Sequence, residues 1–153
     1  MENIYSLVQL FRNAIEYAKE NCETDPLGFF KRFPNGCCGE ASCLLGQFLL
    51  ENGINSYYIC RMCFFQDHSG DFQSHAWLQL EDDTIIDITG DQFNTDESLL
   101  KYNYPIYIGE TDDFHRLFMS ESSIRKSVFL DDLQSDNYYI FLELYTKIKK
   151  YLQ

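Results

Sequence analysis

The sequence predicts an α+β domain in which helices pack on one side of an antiparallel sheet. Two segments, residues 3–20 and 38–51, carry apolar residues at three- and four-residue spacing, the pattern of an amphipathic helix. Between residues 57 and 89 the pattern changes to an alternation of apolar and polar residues, which is typical of half-buried strands. Two helices followed by consecutive strands indicate the α+β class.

The two helices have clear limits in the sequence. The apolar face of the first consists of Ile4, Leu7, Val8, Phe11, Ala14, Ile15 and Ala18. The second is predicted to begin at Cys38, after the turn residues 34–36, and to end at Asn52 and Gly53, which tolerate a left-handed conformation. Its predicted inner face consists of Ala41, Leu44, Leu45, Phe48 and Leu49.

Three strands are predicted in the centre of the chain, and the pattern weakens after residue 95. The segments with strand alternation are residues 57–65, 73–80 and 84–89. The acidic residues 81–83 are predicted to form a tight turn between the last two strands. The later elements predicted are a strand at 104–108, a helix at 111–119 and a helix at 136–152.

The 153 residues are predicted to form a single domain, 1–153, which is long enough to close a hydrophobic core. The formal net charge of −12 argues against a nucleic-acid partner, because neutralising phosphates needs clustered Lys and Arg. The N-terminus carries no signal-peptide pattern, and no apolar run is long enough to cross a bilayer. We therefore expect a soluble, cytoplasmic protein without a membrane partner, and the sequence leaves the oligomeric state open.

The six cysteines are poorly arranged for a disulfide framework, because Cys37 and Cys38 are adjacent. We expect thiols in a reducing compartment. Cys60 and Cys63 form a C-x-x-C motif, but residues three apart on a strand face opposite sides, and no second such motif follows. The sequence therefore predicts no metal and no cofactor, although a small zinc-binding adaptor that uses the cysteines stays an alternative.

Cys38 lies where the turn at 34–36 passes into the second helix. Backbone N–H groups and the positive end of the dipole at a helix start stabilise a thiolate, the reactive form of cysteine. An isolated cysteine is more often a buried and inert small residue. The prediction that Cys38 is a nucleophile therefore depends on a partner.

The hairpin of the second and third strands supplies that partner. Alternation places His75 and Trp77 on one face, and a three-residue turn at 81–83 places Asp87 on the same face, diagonal to His75. A two-residue turn would move Asp87 to the other face. An aspartate in an Ile-rich strand needs a partner to offset its desolvation. Asp87 is predicted to orient the imidazole of His75 and to stabilise its charged form.

These residues belong to a series of motifs in chain order. The series is Gly36-Cys37-Cys38, Gly53-Ile54, His75-Ala76-Trp77 and Asp87. Residues 33–93 resemble the transglutaminase-like superfamily of papain-type cysteine enzymes, and they are similar to the leader-cleaving proteases of lasso-peptide biosynthesis. In that family the Gly-Ile pair begins fifteen positions after the nucleophile, which selects Cys38 over Cys37.

The resemblance implies a papain-like core in which a central helix packs on an antiparallel sheet, with residues 96–153 as an extension of the same domain. It also implies a Cys38–His75–Asp87 triad that acts on an amide bond of a peptide or protein substrate through a thioester. Hydrolysis is the simplest outcome. Transamidation to an amine and a binding or regulatory module without turnover are the alternatives.

Several further side chains are candidates for secondary roles. Beside the backbone N–H of Cys38, the candidates for oxyanion or substrate contact are Asn35, Trp77 and Gln92. Trp77 is predicted to line the cleft or to shield the His75–Asp87 pair from water, and plain core packing is an equal alternative. Asp91 and Gln92 are expected to fix the loop after the third strand, whereas His68 and His115 are expected at the surface or in loops.

Overall fold

Four helices occur in the part of the chain that the structure describes. A computed structural model describes residues 2–66, 72–96, 98, 100–118, 123–126 and 137–152. The helices are α1 (Glu2–Asn21), α2 (Phe29–Arg32), α3 (Cys38–Glu51) and α4 (Tyr138–Lys149). The predictions of α1 and α3 are confirmed, and α4 is shorter than its predicted span. None of the described helices combines the length and the apolar character needed to cross a bilayer.

Helices α1, α3 and α4 share one apolar core on the helical side of the sheet. Its members include Phe11 of α1, Leu44 and Leu45 of α3, and Ile148 of α4. Helix α3 is buried at every position from residue 41 to residue 49, so it is enclosed on all sides and not only along its predicted inner face. This enclosure fixes the orientation of α3 and therefore the place where Cys38 begins it.

Within the described residues the sheet contains five strands, and every strand pair is antiparallel. The strands are β1 (Tyr57–Gln66), β2 (Phe72–Gln79), β3 (Ile85–Asp87), β4 (Tyr107–Gly109) and β5 (Ser123–Lys126). Their order across the sheet is β4-β3-β2-β1-β5. The α+β class is confirmed, and the first two predicted strands agree with β1 and β2 to within one residue at each end.

The sheet separates two cores. Leu78 and Ile86 pack into the core of the helices, whereas Trp77 and Ile85, one position earlier on the same strands, pack into a second core. The second core is rich in aromatic rings, and five of its nine buried members come from the chain after β3. The members are Ile59, Cys63, Trp77, Ile85, Phe93, Leu100, Tyr102, Phe114 and Phe118. The segment whose sequence pattern is weak therefore covers the face of the sheet that the helices leave open.

Two elements after residue 95 differ from their predictions. The strand predicted at 104–108 begins only at Tyr107, since Pro105 has no N–H to give to a strand ladder. The helix predicted at 111–119 is wrong, because the described part of that span holds a single 3-10 turn, His115–Leu117. Phe118, the next residue, pairs with Cys63 of β1 and so leaves the helical conformation.

Candidate active site

Cys37 and Cys38 are neighbours in different surroundings. The thiol of Cys37 is fully buried and lies 3.3 Å from the backbone oxygen of Asn35 and 3.5 Å from that of Phe29. Burial raises the pKa of Cys37 to about 12, so this residue stays protonated at neutral pH. Cys38 begins α3 and is partly exposed. Of the two thiols, that of Cys38 is the one placed to react.

The hairpin of β2 and β3 has the turn that the sequence predicts. Leu78 pairs with Ile86 and Gln79 pairs with Ile85. This register leaves residues 81–83 as a three-residue turn, and its last residue adopts a left-handed φ of +67°. The strand parity that brings position 87 to the same face as position 75 is therefore confirmed.

His75 and Asp87 lie in contact and are both buried. Nε2 of His75 is 2.7 Å from Oδ2 of Asp87. Oδ1 of Asp87 accepts the backbone N–H of Thr89 at 2.9 Å, which bends the chain and ends β3 two residues before its predicted end. Burial alone would raise the pKa of Asp87. The charge of His75 and the hydrogen bonds that Asp87 accepts from His115 and His75 hold that pKa well below its ordinary value.

The thiol of Cys38 interacts with the ring of His75, the backbone of Ala76 and the side chain of Gln92. Burial opposes ionisation, but these contacts and the charge of His75 hold the pKa of Cys38 below its ordinary value of 9.0. Burial also opposes the charge on His75, yet Asp87 and Cys38 together hold its pKa above the ordinary value of 6.5. Both shifts favour a thiolate–imidazolium pair. Because Nε2 faces Asp87, Nδ1 is the nitrogen that serves the thiol.

A polar cleft of about 160 Å³ opens beside these residues. Its lining consists of Asn35, Gly36, Gln73, Gln92, Phe93, Thr95 and Ser98. Nε2 of Gln92 donates to the carbonyl oxygen of Thr89 and lies 3.1 Å from Nδ1 of His75, while its Oε1 accepts the backbone N–H of Gly36 at 3.4 Å. These contacts hold the amide of Gln92 at the thiol. Asn35 lines the same cleft, but it is exposed, and its side chain has no comparable hydrogen bonds to other described residues.

Trp77 does not line this polar cleft. It is 1% exposed, and its ring lies 5.7 Å from that of His75 and 5.0 Å from that of His115, measured between ring centroids. Its indole Nε1 has no hydrogen-bond partner among the described residues. Of the roles predicted for Trp77, its position in the second core agrees with packing and with shielding of the His75–Asp87 pair, and it argues against contact with a substrate in this cleft.

The sequence predicted His115 at the surface or in a loop, and the structure corrects this, because its side chain is buried. Its Nε2 lies 3.0 Å from Oδ2 of Asp87, and its Nδ1 lies 2.6 Å from Oδ1 of Asp112. The hydroxyl of Tyr102 donates to Oδ2 of Asp112 at 2.7 Å. The one sequence signal for His115 is its place within the aromatic segment 114–118. His68 lies outside the described residues.

Arg12 of α1 supports the site, and the sequence prediction did not name it. It is buried, and it forms a two-pronged ion pair with Asp91 at 2.7 and 2.8 Å. The same guanidinium donates to the carbonyl oxygens of Ile88 and Pro105. Arg12 thus holds the loop that carries Gln92, and the expectation that Asp91 fixes this loop agrees with that contact. The signal in the sequence is a charge on the apolar face of an amphipathic helix.

His75, Asp87 and His115 are also the one group of candidate metal ligands among the described residues. Their facing atoms are 2.7 and 3.0 Å apart, whereas two ligands on a tetrahedral zinc are separated by about 3.3 Å. The shorter spacing is that of hydrogen bonds to a shared oxygen. Each of the six cysteines is a thiol, and Cys60 and Cys63 pack in different clusters, so the zinc-adaptor alternative gains no support.

Comparison with protein-family models finds no match for this chain, and searches of curated proteins and of solved structures also return no match. Its function is therefore inferred from the geometry of its own residues.

Proposed function

We propose that the chain is a cysteine-dependent enzyme of amide-bond acyl transfer, most simply a hydrolase of a peptide or isopeptide bond. The observation that carries this proposal is the continuous series of contacts from the thiol of Cys38 through His75 to the buried Asp87. The lowered pKa of Cys38 and the raised pKa of His75 supply a nucleophile and a proton donor together. A transglutaminase-like, papain-type ancestry is part of the same proposal.

In the first half of the reaction, the thiolate of Cys38 attacks the carbonyl carbon, a C–S bond forms, and the carbonyl electrons move to oxygen. The backbone N–H of Cys38 is one of the donors that a helix start leaves without an intrahelical partner. It and Nε2 of Gln92 are the proposed donors to the oxyanion. The C–N bond then breaks, and the departing nitrogen takes the proton from Nδ1 of His75.

In the second half, water attacks the thioester and gives its proton to Nδ1 of His75, and the C–S bond breaks to restore the thiolate. One water is consumed, and one carboxylic acid and one amine are formed. Asp87 accepts from Nε2 throughout, which keeps the reactive nitrogen directed at sulfur. Transamidation uses the same residues, with an amine in the place of water.

The first test measures the alkylation rate of each cysteine by iodoacetamide, mapped by mass spectrometry across pH. Cys38 is expected to react well below pH 7, far faster than the other five. In His75→Ala its rate at about pH 6 should fall about 100-fold, to that of an ordinary thiol. Cys37→Ala is the matched control and should leave the rate of Cys38 unchanged. Equal labelling of all six thiols, or no effect of His75→Ala, would contradict the proposal.

The second test separates hydrolysis from transamidation. The protein is incubated with a complex peptide mixture in ¹⁸O-labelled water, with and without a primary amine, and the products are compared with those of Cys38→Ser. New carboxyl ends that carry ¹⁸O identify hydrolysis, and peptides that carry the amine identify transamidation. If neither product forms and Cys38 reacts like an ordinary thiol, the result would favour a binding module without turnover.

A further inference from the structure

Oδ2 of Asp87 is shared by two imidazole rings. It lies 2.7 Å from Nε2 of His75 and 3.0 Å from Nε2 of His115, and all three side chains are buried. A carboxylate oxygen only accepts hydrogen bonds. Both Nε2 atoms therefore carry a proton, and Asp87 receives a donor from each side.

The second nitrogen of His115 faces another carboxylate. Nδ1 is 2.6 Å from Oδ1 of Asp112, which also accepts the backbone N–H of His115 at 2.9 Å. Burial opposes the charge on Asp112, but these hydrogen bonds and the one from Tyr102 hold its pKa below the ordinary value. A bare Nδ1 lone pair at this distance from an ionised carboxylate would be repelled. Nδ1 of His115 therefore donates as well.

We infer that His115 is a doubly protonated imidazolium, clamped between Asp87 and Asp112, that positions Asp87 for catalysis. Its Nε2–H holds Oδ2 of Asp87 beside the ring of His75, and its positive charge offsets part of the buried negative charge of Asp87. Asp112 in turn orients His115 and is held by the hydroxyl of Tyr102. The catalytic consequence rests on the proposed function, whereas the protonation of His115 does not.

Other charged or titratable groups surround this imidazolium. Besides its two carboxylate partners, the described groups whose rings lie near it are His75, Tyr102 and Tyr107. Arg61 and Arg116 line the same cavity as His115. The ring centroids of His75 and His115 are 6.2 Å apart. Removing one positive charge at this distance makes neighbouring acids weaker. The loss of His115 should therefore raise the pKa values of both Cys38 and His75.

The direct test is made on the wild-type protein, and a variant serves only to assign the signals. Nitrogen-15 spectra of the imidazole rings are recorded for the wild-type protein near neutral pH, before and after Cys38 is alkylated. The chain has three histidines, so few signals are expected, and His75→Gln identifies that of His75. After alkylation the Nδ1 proton of His75 should be lost at a lower pH than before, whereas the ring of His115 should keep both of its protons. A spectrum in which no ring stays doubly protonated would overturn the inference.

The catalytic consequence is tested with His115→Gln, and Tyr107→Phe is the matched control. Tyr107 lies against the ring of His115, but its change removes no charge from the cluster. In His115→Gln the alkylation profile of Cys38 should move to higher pH by about one unit, and the rate plateau should fall about tenfold. Tyr107→Phe should keep the wild-type profile. A uniform loss of rate with an unmoved profile would assign His115 a purely structural role and overturn the inference.

The two proposals fail in different ways. If Cys38 is unreactive at low pH but one ring stays doubly protonated, then the proposed function fails and the charge state of His115 stands. If Cys38 is reactive but its pH profile of alkylation does not change in His115→Gln, then the proposed function stands and the positioning role of His115 fails.

Discussion

The two faces of the sheet carry side chains of opposite character on the same strands. Toward the helices, β2 and β3 present Ala76, Leu78 and Ile86, which pack against apolar side chains. Toward the other side, one position away, they present His75 and Asp87, whose charges are buried among aromatic rings. One face therefore supplies packing and the other supplies chemistry. A shift of one residue in strand register would exchange them.

The largest effect is expected from Asp87→Asn, which removes the charge on which the polar face depends. The side chain of Asn has one acceptor oxygen and adds an N–H donor. The buried Nε2–H groups of His75 and His115 both need an acceptor at this position. The free energy of unfolding should fall by about 4 kcal/mol, and amide turnover should fall about 10⁴-fold. Urea unfolding measures the first loss, and turnover of a peptide substrate identified in the ¹⁸O experiment measures the second. The exposed Asp113→Asn is the control, and wild-type reactivity in folded Asp87→Asn protein would contradict the expectation.

Leu45→Ala tests the helical face in the same way. Leu45 is fully buried in the helical core, so its truncation should lower the free energy of unfolding by about 3 kcal/mol through lost transfer energy and a cavity. The pH profile of Cys38 alkylation in the folded protein should not change. A shifted profile would show that the two faces of the sheet are energetically coupled.

Gln92→Ala tests the polar cleft. Loss of the amide next to Nδ1 of His75 should lower amide turnover about 100-fold, as expected for an oxyanion donor. Gln73→Ala is the matched control, because Gln73 is the same residue type in the lining of the same cleft. Equal losses in the two variants would remove the special role of Gln92.

The smallest effect concerns stability against pH. The raised pKa of His75 adds stability that is complete below pH 6.5 and is lost as the pH rises through the pKa that His75 has in the folded protein. The lowered pKa of Cys38 adds stability that is complete above pH 9.0 and is lost as the pH falls through the pKa that Cys38 has in the folded protein. Between 6.5 and 9.0 the two slopes oppose each other, so wild-type stability should be nearly constant.

Cys38→Ser exposes the contribution of the histidine alone. In this variant the free energy of unfolding should fall by about 1 kcal/mol as pH rises above 6.5, because His75 still gains from Asp87 in the folded state. Adding His75→Gln should remove that slope. A slope of the same size in the double variant would assign the effect to another group.

The helical face could be predicted from the sequence because it follows a repeating period. The apolar spacing of α1 and of Leu44, Leu45 and Leu49 in α3 needs no knowledge of distant contacts. The contact of His75 with Asp87 was predictable for a related reason, because it lies within one hairpin whose parity depends on the length of a single turn.

The rest of the site could not be predicted, because it joins residues without a shared period. His115 reaches Asp87 across 28 positions, and Arg12 reaches Asp91 across 79. No local pattern reports either pairing. The segment after residue 95 also lacked a clear period because its rings fill gaps over the open face of the sheet. Phe114 and Phe118 pack there from a single turn and its end, and not from a regular helix.

Trp77 has a consequence for how this protein can be observed. It is the single tryptophan of the chain, and its indole lies against the rings of both His75 and His115. A protonated imidazole quenches indole emission by electron transfer, and a neutral one does so much less. The protein thus carries an intrinsic optical reporter at its centre. Emission followed after a pH jump or the addition of an electrophile reads the charge of these rings in real time, without a label.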